Sequence, residues 1–350
     1  MKIGNGIRIF NIDSIVLKLL LLTVFLSSCS SQQKRFEFSF EGTTMGTSYS
    51  IKVIDKEDSK KILNLGKRID SVLVDVNNKM STYIPTSELS VLNSTKSNDW
   101  INLTEDLAHV LNTSKRISEE SGGSFDITVG PLVNLWGFGP IKKDDEIPDQ
   151  KLIDETLKYV GIDKIELDYS GKRIRKINPN VYCDLSAIAK GFGVDKVSLF
   201  IESLGIKDYM VEIGGEVRTK GKNVNNELWH IGISSPSSEG LQKILEISDH
   251  SIATSGDYYN YFEKDGVRYS HTIEPKTGKP ITHNLASVTV IDKDCEEADA
   301  YATTIDVMGP DAGYEFALKY KLPVFMIVRE KDKFIEKQTP QFEEFIKKGN

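Results

Sequence analysis

Hydrophobic and polar positions alternate over Phe36 to Phe40 and again over Tyr49 to Ile54, the two-residue period of half-buried strands. Gly42-Thr-Thr-Met-Gly-Thr47 separates them, so the chain is predicted to open on a β-hairpin. The period then changes. Ile62, Leu65, Ile69, Val72, Leu73 and Val76 recur at helical spacing and predict an amphipathic helix. Thr104 opens a second helix through Leu107, Val110, Leu111 and Ile117, and Gly122-Gly123 closes it. Residues 124–139 read as a short strand entering a loop of Gly, Pro and aromatic residues. Val181, Cys183 and Leu185 alternate as in a strand. Ile188, Phe192, Val197, Phe200 or Ile201, and Leu204 then recur as in a helix, with Gly205 as its stop. Asp184 and Ser186, between the two, are residue types that cap helices. Further strands are predicted over 209–218, 229–233, 244–247, 287–291 and 323–328, with a helix over 296–308. Hairpins with intercalated helices, rather than a regular strand–helix alternation, predict an α+β fold with mixed, largely antiparallel sheets.

Composition changes this picture mainly at the N-terminus. Lys2, Arg8 and Lys18 precede the apolar run from Leu19 to Leu26, which is too short to span a bilayer comfortably and reads as a signal-peptide core. Leu26-Ser-Ser-Cys29 resembles a bacterial lipobox, whose Cys becomes the lipidated first residue of the mature protein. The expected division is a signal peptide over 1–28, a lipidated tether over 29–40, a folded domain over 41–335 and a polar tail over 336–350. Such a protein would face the periplasm from a lipid anchor in the membrane. A formal net charge of −7, without a Lys/Arg cluster in the body, argues against a nucleic-acid partner. Cys183 and Cys295 remain in the body and are expected as two separate buried thiols. His and Cys show no zinc-like spacing.

The candidate chemistry uses oxygen and imidazole. Asp299 and Thr303, four residues apart on the predicted helix, would face one side of it among Ala298, Ala300 and Ala302. A carboxylate and a hydroxyl suit a hard cation such as Mg²⁺ that shares its coordination with phosphate and backbone carbonyls. The plain alternative is an acidic first turn stabilised by the helix dipole, which fits Glu296 and Glu297 better. A helix start after Asp184 and Ser186 offers unpaired backbone N–H groups to an anion, though it is also an ordinary strand-to-helix connection. Asp126, flanked by apolar residues, is as compatible with a functional role as with a structural one. His271 would serve as a general base near neutral pH, or as a structural His beside a turn.

Taken together, the segments 44–47, 80–83, 123–132, 184–191, 212–215, 271–278 and 299–303 resemble, in this order, those of the ApbE family of FAD:protein FMN transferases. The resemblance implies an ApbE-like, T-fold-like domain and Mg²⁺-dependent cleavage of the FAD pyrophosphate. FMN would pass to a Thr or Ser hydroxyl of a membrane redox subunit, of the Na⁺-pumping quinone reductase or Rnf type, with release of AMP. By the same resemblance, Asp299, Thr303 and the Ala187 carbonyl would hold Mg²⁺. Met45, Tyr83, Ser124, Phe125, Asp126, Asp184, Lys190 and Ile273 would line the FAD, and His271 would act as base. Two rival expectations share these residues: a pyrophosphatase that frees FMN and AMP, and a non-catalytic flavin-binding lipoprotein.

Overall fold

The computed structural model describes residues 34–140, 146–236, 240–256, 261–264, 266–331 and 333–346. Its frame is an eight-stranded sheet in which β1 (Phe36–Thr44), β2 (Thr47–Asp55), β3 (Asp208–Ile213), β4 (Glu216–Lys220), β5 (Ser251–Gly256), β6 (Leu285–Asp292), β7 (Val324–Glu330) and β8 (Lys333–Gln338) lie side by side in chain order. Every neighbouring pair is antiparallel. The sheet is therefore one meander, and the helices enter as insertions between consecutive strands. The α+β expectation holds. The β1–β2 turn is the two-residue loop Met45-Gly46, with φ of 50° and 74°, the left-handed geometry that matches strand twist.

Four helices matter for the site: α1 (Leu65–Met80), α2 (Glu105–Glu120), α3 (Ala189–Ser203) and α4 (Cys295–Tyr320). Leu65, Ile69, Leu73, Val76 and Met80 form the buried stripe of α1. Thr104 caps α2 as its sequence predicts, its side chain accepting from the Leu107 N–H. These helices cover one face of the sheet. Ile51, Val53, Val211 and Ile213 pack with α1 and α3, while Val288, Val290, Val324 and Met326 pack with α4, against which α2 lies in the same core cluster. On the other face, Ile291, Phe325 and Ile327 meet Trp229, Ile233, Leu245 and Ile247 of a separate hairpin. β7 thus buries both faces, which is why its sequence is a continuous apolar run without polar alternation. α4 is buried on most sides and breaks at Gly309 (φ 79°), where Pro310 supplies no N–H and the His283 ring lies against the backbone.

Several boundaries differ from the sequence expectation. β1 begins at Phe36, so residues 36–40 belong to the sheet and not to a tether. β8 runs to Gln338, and Phe342, fully buried, stacks on Phe325 at 5.4 Å, so 336–346 is folded chain. Residues 127–129 form a 3₁₀ turn and 130–135 a short helix where a strand entering a loop was expected. Residues 181–185 take no regular secondary structure and join no sheet. The Asn93 side chain replaces a ladder partner there: its Nδ2 donates to the Cys183 carbonyl at 2.8 Å and its Oδ1 accepts from the Cys183 N–H at 2.7 Å. Cys29, with the rest of the expected signal segment, lies outside the described residues.

Candidate active site

The site forms where α3 and α4 meet at their N-terminal ends. α3 starts at Ala189 with Ile188 at its cap position and no side-chain cap. Asp184 does not cap the helix as expected. Its Oδ1 accepts from the Ser186 N–H at 2.9 Å and from the Ser186 hydroxyl, closing the turn before the helix. The Gly191 N–H, in the first turn of α3, donates to Asp299 Oδ2 at 3.0 Å. A carboxylate at a helix N-terminus is favoured by the dipole and by the free N–H groups there. A side chain at residue 191 would place Cβ 2.3 Å from the Cys295 carbonyl oxygen, so only glycine lets the two helices approach this closely. Asp195, also on α3, accepts from the Glu296 N–H at 2.9 Å and pairs with Arg218 at 2.5 Å. α3 therefore fixes the start of α4 at two points.

A cleft of about 430 Å³ opens beside this junction. It gathers Ser124, Phe125, Asp126, Asp184, Ala187, Lys190, His271, Ile273, Asp299 and Thr303, most of the residues singled out from the sequence. Asp126 is buried, and its Oδ1 accepts from the Thr128 N–H and hydroxyl at 2.8 and 2.6 Å. Burial pushes its carboxyl pKa above the ordinary value despite these bonds. The His271 ring meets Phe138 edge-on at 6.4 Å between centroids. Tyr83 does not reach the wall of the cleft. It stands at the rim, 67% exposed, with its hydroxyl donating to the Phe138 carbonyl at 3.5 Å; partial burial and then the nearby Asp184 charge push its pKa up. Met45 is not part of the lining either. Its Sδ and Cε lie against Gly193 of α3.

Two acidic residues enter that the sequence reading missed. Glu216 follows the Gly214-Gly215 turn, whose φ values of 62° and 104° bring β4 back beside β3. It is buried in the cleft wall and holds Lys190 Nζ at 2.6 Å, while Lys190 lies 3.8 Å from Asp299 Oδ1. Burial pushes the Glu216 carboxyl above its ordinary value, with Lys190 opposing and Asp299 adding to the rise. Burial disfavours the Lys190 charge, but Asp299 and Glu216 outweigh it, and its pKa lies above the usual lysine range. Asp306 accepts from Ser255 at 2.9 Å and Thr272 at 3.3 Å, tying β5 and the His271 segment to α4. Asp299, Thr303 and Asp306 stand at i, i+4 and i+7, a polar stripe that the helix pattern carries in plain view. For Glu216 the available signal was an acidic residue just after a glycine pair in an alternating strand.

The donors fit a hard divalent cation. Asp299 offers a carboxylate, Thr303 a hydroxyl and Ala187 a carbonyl, oxygen throughout. Among the described residues no three His, Cys, Asp or Glu side chains converge, so such a cation would complete its shell with ligand oxygens or water.

A profile of the ApbE family matches residues 45–326. The FAD:protein FMN transferase of Vibrio cholerae serotype O1 is 43% identical over 327 residues, covering 93% of this chain and 97% of that protein. The FAD:protein FMN transferase of Haemophilus influenzae is 42% identical over 328 residues, 92% and 94% of the two chains. Among solved structures, the flavin transferase ApbE from Vibrio cholerae superposes with a TM-score of 0.84 at 41% identity, over 89% of this chain and all of the other. The flavinyl transferase ApbE of Pseudomonas stutzeri superposes with a TM-score of 0.83 at 34% identity, over 90% of this chain and 98% of that one. With the fold, the cleft and these relatives in agreement, the chain belongs to the ApbE family.

Proposed function

We propose that this protein is a FAD:protein FMN transferase acting in the bacterial cell envelope. The observation that carries the reading is the convergence of Asp299, Thr303, Ala187, Lys190 and His271 on one cleft. In the reaction, a Thr or Ser hydroxyl oxygen of the acceptor protein attacks the FMN-side phosphorus of FAD. The pyrophosphate P–O bond breaks, AMP leaves with that oxygen, and FMN remains on the acceptor as a phosphate ester. His271 takes the hydroxyl proton as the new bond forms.

Asp299, Thr303 and the Ala187 carbonyl would hold Mg²⁺, which would supply neutralisation of the pyrophosphate charge there. Lys190 brings a positive charge to the phosphates. Asp126 and Asp184 accept hydrogen bonds from base or ribose, and Ser124, Phe125 and Ile273 supply the wall against which FAD packs. Tyr83 closes over a ring from the rim. Met45 packs against Gly193 of α3, the helix whose first turn carries Lys190. Cys29 would carry the lipid anchor, and acceptors of the Na⁺-pumping quinone reductase or Rnf type suit an enzyme held at a membrane.

The test is AMP release from FAD in the presence of an acceptor fragment. The proposal expects AMP to appear and to vanish on addition of EDTA or in Asp299→Asn. AMP release indifferent to both would contradict the assignment of these residues.

A further inference from the structure

Glu216 has no task in the chemistry above, yet its setting is demanding. It is 2% exposed, Oε1 meets Lys190, and Oε2 has no hydrogen-bond partner among the described residues. A buried carboxylate with one oxygen unsatisfied is costly, and a core sheet position would more readily carry Val or Thr. The residue also lines the cleft, one side chain away from Asp299.

Lys190 stands between the two carboxylates, 2.6 Å from Glu216 and 3.8 Å from Asp299. Its ammonium is a compact charge on a flexible stem, and attraction to each carboxylate grows as the separation shrinks. Glu216 holds the closer position because the Gly214-Gly215 turn fixes where β4 begins. Asp299 is fixed from the other side by the Gly191 N–H. If Glu216 lost its charge, the same ammonium would move onto Asp299 and compete there with any cation.

We propose that Glu216 is a positioning residue that draws Lys190 off Asp299 and so keeps the Asp299 carboxylate open to a divalent cation. The inference rests on the reading of Asp299 and Thr303 as a metal site. With Glu216 ionised, the trio of Lys190, Glu216 and Asp299 carries one net negative charge, which still attracts a dication. With Glu216 neutral, Lys190 cancels Asp299.

The experiment is calorimetric titration of the full-length protein with Mg²⁺ alone, with thermal melts to verify folding. Glu216→Gln is expected to weaken Mg²⁺ binding about 10–100-fold, the range seen when groups behind metal ligands are removed. Lys190→Met added to Glu216→Gln is expected to recover most of that loss, because the competing charge is gone. A purely structural role for Glu216 would leave the double variant as weak as the single one, and that result overturns the inference. So does a Glu216→Gln protein that binds Mg²⁺ like the wild type while Asp299→Asn does not bind, an outcome that leaves the metal site standing. A wild-type protein with no more affinity for Mg²⁺ than Asp299→Asn removes the metal site and this inference with it.

Discussion

The Gly191 N–H and Asp299 Oδ2, 108 positions apart in the chain, are joined by a 3.0 Å hydrogen bond at the crossing of α3 and α4. The contact depends on glycine, since a Cβ at 191 would sit 2.3 Å from the Cys295 oxygen and 2.6 Å from its carbonyl carbon. These are backbone atoms and cannot swing aside. Gly191→Ala is expected to part the helices, cost about 1–3 kcal/mol as other overpacked sites do, and displace Asp299. A lowered melting temperature together with a raised Mg²⁺ requirement would bear this out. A variant as stable and as active as the wild type would show that the approach is not needed.

Asp299→Asn retains an oxygen to accept from Gly191 and removes only the charge. The expectation is a folded protein whose transfer rate falls roughly 100-fold or more, the scale of losing a charge-stabilising group in a site. Thr303→Val keeps the shape and removes the hydroxyl, so part of its deficit should yield to excess Mg²⁺. Steady-state AMP release at several Mg²⁺ concentrations separates the two variants.

His109 on α2 and the buried Glu296 on α4 lie 2.6 Å apart. The hydrogen bond to Glu296 raises the His109 pKa above its ordinary value; desolvation opposes this, and the charges of Glu296, Asp106 and Asp195 add to the rise. A histidine whose folded pKa is raised stabilises fully below its unfolded value of about 6.5 and loses that contribution as pH climbs through the folded value. The difference in melting temperature between wild type and His109→Gln should therefore be largest near pH 6, about half a unit below that unfolded value, and shrink on the alkaline side. A difference that grows with pH would contradict the pairing.

Cys183 and Cys295 are both buried free thiols in different parts of the core. Burial pushes the Cys183 thiol up to about 12, and Cys295 also lies well above its ordinary value because of burial. Neither should react with a soluble thiol reagent until denaturant is added, when both should react at once. Fast labelling of the native protein would contradict this packing.

Much of the fold was legible because its strands follow one another in the sheet as they do in the chain, so local alternation and turn residues suffice. The β1–β2 hairpin, α1 and the Thr104 cap are of this kind. Residues 181–185 misled because alternation reports which side chains are buried and says nothing of who satisfies the backbone; here Asn93 does. The tail was taken as polar because β8 is an edge strand with charged residues, and its apolar anchors, Phe342 with Phe345 and Ile346, are too few and too unevenly spaced to leave a periodic signal. At the site, Asp299, Thr303 and His271 could be found from residue type, spacing and the resemblance. Glu216 and Asp306 act through partners far away in sequence, Lys190, Ser255 and Thr272, which spacing cannot reveal. Met45 and Tyr83 lie in the expected segments, but the chain packs one against Gly193 of α3 and leaves the other largely exposed.

The most direct test of the central claim is the mass of an acceptor fragment, from a membrane redox subunit, after incubation with the protein, FAD and Mg²⁺. A gain equal to FMN minus water on a single Thr or Ser is expected, with one AMP released per labelled acceptor and no label with Asp299→Asn. Free FMN and AMP beside an acceptor of unchanged mass, with acceptors labelled readily by a related transferase, would contradict it and make the protein a pyrophosphatase.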